Sequence, residues 1–104
     1  MLPPDSQFEE AALAESSEKV EEPPLYKVLL HNDDFTTMEF VVWILESVFN
    51  MPEEQAIQVM LNVHLRGIGI AGIYTYEIAE TKVERATALA REQEFPLLVT
   101  AEPV

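Results

Sequence analysis

The sequence predicts an α+β domain in which a small three-stranded antiparallel sheet packs against three helices, in the order strand, helix, helix, strand, helix, strand. Three observations predict this fold. Short, largely apolar stretches lie near residues 25–31, 68–74 and 97–101. The stretches between them repeat their apolar residues every three or four positions, as helices do. Composition also shifts once, at Pro23-Pro24, so the elements belong to a single domain over residues 25–104.

The segment before this domain is strongly acidic. Residues 1–24 carry seven acidic side chains and one basic side chain, Lys19. Such a segment buries too little apolar surface to offset the entropy of ordering it. We therefore predict a mobile N-terminal arm over residues 1–24, with a transient helix between Gln7 and Ala14. From composition alone, an inert solubilising tail is an open alternative.

The first strand and first helix follow directly. Lys27, Leu29 and His31 alternate with their neighbours, which predicts a strand that begins at Leu25. The next helix is predicted from Thr37 to Phe49, with its apolar face formed by Met38, Phe40, Val41, Val42, Ile44, Leu45, Val48 and Phe49. Trp43 falls on the polar side of this helix.

Helix start and stop signals bracket the remaining elements. Pro52 at the first helical position and Gly67 after the last turn delimit the second helix, and a strand follows from Ile68 to Tyr74. Thr75 is predicted to cap a third helix, which ends before Pro96, and residues 97–101 supply the last strand. The buried stripe of the third helix is predicted to be Ala79, Val83, Ala86 and Ala90.

Composition excludes several classes of protein. The formal net charge is -13 and the chain has six Lys and Arg residues, which argues against nucleic acid as a partner and favours cationic partners. There is no Cys, no apolar run of membrane-spanning length and no signal-peptide pattern at the start. These features predict a cytoplasmic protein that has no membrane partner.

A polar segment, Asn32–Thr37, joins the first strand to the first helix. Amide and carboxylate oxygens at such a junction can surround one point while their backbones form the turn, so the segment is a candidate site for a cation. The same residue types also form ordinary turns and helix caps, and the segment alone leaves that alternative open.

Five further segments, with Asn32–Thr37, give the chain a family resemblance. They are Tyr26–Leu30, Met38–Val42, Met60–His64, Ala79–Val83 and Phe95–Leu98. In this order, from about Pro24 to Thr100, they closely resemble the ClpS family, whose members hand N-degron substrates to ClpA-type or ClpC-type unfoldases. The resemblance implies an adaptor rather than an enzyme, without a cofactor, whose substrates begin with Leu, Phe, Tyr or Trp. It also implies that the arm engages the unfoldase during delivery.

The resemblance assigns roles to individual residues. Asn32, Asp34 and His64 would bind the substrate's α-amino group, because an amide oxygen, a carboxylate and a neutral imidazole offer three acceptors to its three N–H donors. Asp33 and Thr36 would be secondary polar residues. The helical pattern places His64 on the buried side of the second helix, where a lone histidine is more often a satisfied core residue.

An apolar pocket and a docking surface complete the implied set. The pocket for the first side chain would be lined by Thr36, Met38, Val41, Met60, Val63 and Leu97, with Met38 at the gatekeeper position. Helical spacing groups Met38 with Val41 and Met60 with Val63, although stripes of this kind are usually core. Glu77 and Lys82 would dock on the unfoldase; from charge pattern alone they are a solvated helix face.

The chain departs from the family pattern at four positions. Thr37 stands where Pro is common, His31 replaces an apolar residue, Ala71 stands where some members have Cys, and Trp43 is unusual. These changes bear on specificity and affinity and are compatible with a paralogous form. The sequence leaves open which of the four first residues binds best and whether the unfoldase is of the ClpA or ClpC type.

Three features of the sequence raise other functions. Gly67–Gly72 matches a dinucleotide-binding glycine pattern, but a helix precedes it and a strand follows, which is the reverse of the required order. A metal-dependent hydrolase could use His31, Asp33, Asp34 and His64, but strand alternation puts residues 31 and 33 on the opposite face from residue 32. A peptide-binding module without a degradative role is the other alternative.

Overall fold

A computed structural model describes residues 22–104. Its elements are β1 (Leu25–His31), α1 (Met38–Ser47), α2 (Glu53–Arg66), β2 (Ile68–Thr75), α3 (Tyr76–Glu92) and β3 (Leu98–Pro103). The predicted fold class and element order are confirmed. The predicted arm lies outside the described residues apart from its last three positions, and the transient helix predicted between Gln7 and Ala14 lies wholly outside them. None of the helices within residues 22–104 is long and apolar enough to cross a membrane.

The sheet places β1 in its centre. The strand order is β2-β1-β3, and both neighbours run antiparallel to β1. Val28 and Leu30 on β1 are fully buried against the helices, in one core with Ile44 and Leu45 of α1. A β-bulge between Val28 and Leu29 shifts the register against β2. Because the central strand is packed into the core, its end is held in place, and this fixes where the Asn32–Thr37 segment begins.

The first helix is shorter at both ends than the sequence predicts. Thr37 is the N-cap rather than a helical residue, and its hydroxyl oxygen accepts a hydrogen bond from the Phe40 amide at 3.1 Å. The helix ends at Ser47, yet Val48 and Phe49 are still buried. Helical periodicity therefore continued beyond the helix because the chain stays against the core after the hydrogen bonding stops.

Two glycines explain how α2 leads into β2. Gly67 adopts φ 88° as the C-cap of α2, and its amide donates to the Val63 carbonyl at 2.9 Å, as predicted for a glycine after a last turn. At Gly69, a Cβ would lie 2.7 Å from Val63 Cγ2 and 3.0 Å from the Val59 carbonyl oxygen. This confirms the predicted close backbone approach. Pro52 occupies the N-cap position, one residue before its predicted place.

The third helix and the last strand confirm the pattern with small shifts. Ala79, Ala86 and Ala90 are fully buried and Val83 packs against the same core. Thr75 is the N-cap, but its side chain makes no capping hydrogen bond, and it also ends β2. The last strand runs over Leu98–Pro103 rather than residues 97–101, because its pairing with β1 extends from His31 to Tyr26.

Candidate functional site

A cavity of about 290 Å³ opens where the Asn32–Thr37 segment meets the start of α1 and the second half of α2. It is lined by Asn32, Asp33, Asp34, Thr36, Met38, Val41, Met60, Val63 and His64. The structure therefore brings together, around one space, almost all of the residues that the sequence analysis grouped into an amino-group site and an apolar pocket. Its size suits one bulky side chain with its attached polar end rather than a long ligand.

One backbone hydrogen bond connects the two halves of this site. The Asn32 amide donates to the Gly67 carbonyl oxygen at 2.9 Å. Gly67 directly follows the last turn of α2, which contains His64. The bond thus holds the start of the polar segment beside the end of α2, which brings residues 32 and 64 together although they are distant in sequence.

Asp33 organises the polar segment. Its carboxylate accepts hydrogen bonds from the Phe35 amide at 2.8 Å, the Thr36 amide at 2.6 Å and the Thr36 hydroxyl at 2.7 Å. Partial burial alone would raise the pKa of Asp33, but these hydrogen bonds, with the Arg91 charge, bring it below the ordinary value of 3.8. Asp33 was predicted to be a secondary polar residue of the site; an Asp followed by Thr three positions later is the turn signal that predicts this organising role.

Three acceptor side chains line the polar part of the cavity and are exposed. Asn32, Asp34 and His64 all have high solvent exposure. The prediction that His64 lies on the buried side of α2 is wrong, because its side chain is exposed and lines the open cavity, although the neighbouring Val63 is buried. In the free protein these acceptors are therefore hydrated, and they lose water only when a ligand covers them.

The apolar part of the cavity combines core and surface residues. Val41 and Val63 are 5% and 3% exposed and form the deep wall, whereas Met38 is 45% exposed at the rim. The helical spacing left two alternatives, a ligand pocket or ordinary core, and each of them applies to some of these residues. The valines belong to the core as well as to the cavity, while the large exposed area of Met38 leaves it free to contact a ligand.

Leu97 is the one predicted pocket residue that does not line the cavity. It is 1% exposed and belongs to the same buried cluster as Val41 and Val63. Arg91 Nη1 donates to the carbonyl oxygens of Phe95 and Leu97, at 2.7 and 3.1 Å, which fixes the approach to β3. Leu97 thus packs in the core with the valine wall instead of facing the cavity.

The predicted docking residues differ in their surroundings. Glu77 is exposed in the first turn of α3, where a negative charge also favours the helix dipole. Lys82 is half-buried: its Nζ donates to the Val48 carbonyl oxygen at 2.6 Å and lies 5.7 Å from the Tyr74 ring centroid. Lys82 therefore caps the end of α1, a structural contact that the charge pattern did not indicate.

The unusual residues His31 and Trp43 lie outside the cavity. His31 Nε2 is 2.7 Å from Thr100 Oγ1, within hydrogen-bonding distance across the β1–β3 pair. The ring centroids of Trp43 and Phe40 are 5.7 Å apart, and those of Phe40 and Phe95 are 4.9 Å apart. Both residues therefore contact other parts of the fold and do not line the cavity.

The residues required by the hydrolase alternative are not assembled. His31, which that alternative needs as a ligand, does not line the cavity. Within residues 22–104, no group of three or more His, Cys, Asp or Glu side chains is arranged to hold a metal ion. This geometry gives the hydrolase alternative no support.

Comparison with known proteins assigns the class. Residues 21–100 match the family model described as "ATP-dependent Clp protease adaptor protein ClpS". The adapter protein ClpS of Myxococcus xanthus is 54% identical over 86 residues, covering 83% of this chain and 80% of that protein. The ClpS of Methylococcus capsulatus is 56% identical over 91 residues, covering 88% and 86%.

A solved structure agrees with these matches. Agrobacterium tumefaciens ClpS2 bound to L-phenylalaninamide superposes with a TM-score of 0.77 at 44% identity, covering 80% of this chain and 100% of that one. Fold and comparisons together define a Clp protease adaptor. The chain belongs to the ClpS family.

Proposed function

We propose that this adaptor binds the free α-amino group and the bulky hydrophobic first residue of N-degron proteins and delivers them to a Clp AAA+ protease. The observation that carries the proposal is the mixed lining of one cavity, in which amide, carboxylate and imidazole acceptors adjoin a wall of Met and Val side chains. The phenylalaninamide bound to the Agrobacterium relative combines a free α-amino group with an aromatic side chain, and it supports the same function here.

The polar part of the cavity suits an ammonium group. Asn32 and His64 offer neutral acceptors and Asp34 offers an ionised one, so three N–H donors and one positive charge would be matched. The net charge of -13 also favours the approach of a cation. We assign the primary contacts to these three residues, and a positioning role to Asp33 and Thr36.

The apolar part suits a side chain such as Leu, Phe, Tyr or Trp. Burying one of these between the valine wall and the Met38 and Met60 side chains would contribute roughly 1.5–3 kcal/mol. Met38 stands exposed at the rim, where a branch at the β carbon of the ligand would meet it first. We therefore propose that Val and Ile are excluded by Met38, and that Leu97 acts only by supporting the wall from the core.

A peptide series varied only at the first residue tests this function. Peptides that begin with Leu, Phe, Tyr or Trp are expected to bind in the low-micromolar range or tighter. Peptides that begin with Ala should bind at least about tenfold more weakly, since a tenfold change needs the loss of only ~1.4 kcal/mol of burial free energy. The measurement is fluorescence anisotropy or calorimetry. Equal affinities across the series would refute the pocket, and tight binding of Val would refute the role of Met38.

Delivery requires a second surface. We propose that the start of α3, at Glu77, docks on the N-domain of a ClpA-type or ClpC-type unfoldase together with Lys82 of the same helix, and that residues 1–24 form the arm that takes part in transfer. Glu77 is exposed and lies on a different element from every residue that lines the cavity. Docking and peptide binding can therefore be separated by substitution.

A Glu77→Gln variant is expected to weaken association with the unfoldase several-fold while leaving peptide affinity unchanged, because an interface charge pair is lost far from the cavity. Glu92→Gln is the matched control, since Glu92 ends the same helix about 22 Å away. Lys82→Met is a poor substitute, because it also removes the contact with Val48. Unaltered unfoldase binding by Glu77→Gln in an N-domain pull-down would contradict the proposed surface.

The remaining features of the proposal follow from this role. Binding and delivery need neither a cofactor nor a catalytic residue, and an adaptor that works beside a Clp protease acts in the cytoplasm. Membership of the ClpS family favours the degradative role over a peptide-binding module without one.

A further inference from the structure

A second apolar depression lies beside the candidate cavity, on the surface where α1 and α2 meet. It has a volume of about 310 Å³ and is lined by Met38, Glu39, Val42, Ile57 and Met60. We call it the α1–α2 groove. Met38 and Met60 also line the cavity, so these two side chains form the partition between the two spaces.

The walls of the groove are apolar and accessible. Met38 and Ile57 are 45% and 38% exposed, and Val42 and Met60 are half-buried. Glu39 is the one charged residue among those that line it. Accessible apolar depressions of this kind mark sites of interaction, and this one adjoins the candidate binding cavity.

The direction from cavity to groove can be read along α2. His64 lies in the last turn of the helix, while Met60 and Ile57 lie four and seven positions earlier. At 1.5 Å per residue these are steps of about 6 Å and about 10 Å along the axis. The amino-group acceptors, the cavity and the groove therefore follow one another along the helix. A peptide that starts beside His64 would run towards Ile57.

The periodicity of an extended chain selects the residue that reaches the groove. Successive side chains of such a chain point to opposite sides, so the first and third residues face the same surface, about 7 Å apart. This spacing lies between the steps of about 6 Å and about 10 Å that separate His64 from Met60 and from Ile57 along the helix axis. On the basis of the proposed function, we propose that the α1–α2 groove holds the third side chain of the bound peptide and prefers an apolar one, such as Leu or Phe.

The test uses peptides that begin with Phe and vary at one later position. Replacing Ala by Leu at the third position is expected to tighten binding about fivefold, and the same replacement at the second position should change it less than about twofold. Ile57→Ala should remove the gain at the third position and leave the affinity for Phe-Ala-Ala peptides unchanged. Gln58→Ala is the matched control, because Gln58 adjoins Ile57 in sequence but does not line the groove.

Several outcomes would overturn the inference. These are equal affinities at the third position, a gain confined to the second, or an Ile57→Ala variant that weakens every peptide by the same factor. If Ile57→Ala instead weakens binding of the unfoldase, or abolishes self-association measured by sedimentation, then the groove has another occupant. In each of these cases the proposed function stands as long as Phe-Ala-Ala still binds more tightly than Ala-Ala-Ala.

Discussion

Acetylation of the α-amino group is expected to weaken the binding of a Phe-initiated peptide at least about tenfold. The acetylated nitrogen keeps one N–H donor and loses its positive charge, so Asn32, Asp34 and His64 would be covered without all of their partners. Each hydrogen bond that involves a charged group contributes about 1.5–3 kcal/mol, and ~1.4 kcal/mol already gives a tenfold change. The measurement is direct binding of the two peptides under identical conditions.

The three acceptors are exposed, so the expected preference for the free peptide over the acetylated one depends on the water that binds to them. Since they are hydrated in the free protein, discrimination arises when a blocked peptide displaces their water without replacing its hydrogen bonds. An Asp34→Asn variant is the informative comparison, because it retains an acceptor oxygen but loses the charge. It should bind the free peptide more weakly and discriminate less against the acetylated one. Undiminished discrimination in this variant would contradict the role of Asp34.

Loss of the Asp33 carboxylate is expected to produce the second large effect. Asp33→Ala removes three hydrogen bonds that hold Phe35 and Thr36. The segment that contains Asn32 and Asp34 would then be less ordered in the free protein, and ligand binding would have to pay the entropy of ordering it. We expect a loss of affinity of about tenfold. We also expect a decrease of about 1–2 kcal/mol in the free energy of unfolding, as for the loss of a helix-capping side chain. Calorimetry and urea unfolding measure the two quantities.

The control for this variant is Asp33→Asn, whose amide oxygen can still accept from the Phe35 and Thr36 amides. It should retain most of the stability and part of the affinity. If Asp33→Ala binds peptide as tightly as the unchanged protein, then the segment is held in place without Asp33 and our assignment of a positioning role is wrong.

Acid dependence gives an independent check on Asp33. Its pKa is lowered in the folded protein, so its contribution to stability is present above the unfolded value and lost as the pH falls through the folded value. The contribution should therefore be complete at neutral pH and decline as the pH falls through and below 3.8, the ordinary value of the group. The Asp33→Ala variant lacks this component, so its stability difference from the unchanged protein should shrink in that acidic range.

Much of the fold follows from local signals in the sequence. The apolar spacing of the helices and Gly67 after α2 are local signals, and they indicate the three helices and the end of α2 correctly. The ends of elements depend on contacts between distant segments. The last strand reaches Pro103 because it pairs with Tyr26, and α1 stops at Ser47 while its following residues remain packed.

The candidate site could be predicted only in part. No local pattern brings His64 to Asn32, which depends on the hydrogen bond between Asn32 and Gly67, and only the family resemblance grouped these residues. A helical wheel shows which residues share a face but not whether a side chain packs in the core or lines an open cavity, so it predicted His64 to be buried. Local pattern likewise does not show that Leu97 packs in the core rather than facing the cavity, because that depends on its contacts with the rest of the buried cluster.

The most direct measurement of the central claim is the affinity of four otherwise identical peptides, which begin with Phe or Ala and have a free or an acetylated amino group. If one cavity binds both the amino group and the first side chain, only the free Phe peptide binds tightly, and either change alone lowers the affinity at least about tenfold. A free Ala peptide or an acetylated Phe peptide that binds as tightly as the free Phe peptide would contradict joint recognition of the amino group and the first side chain.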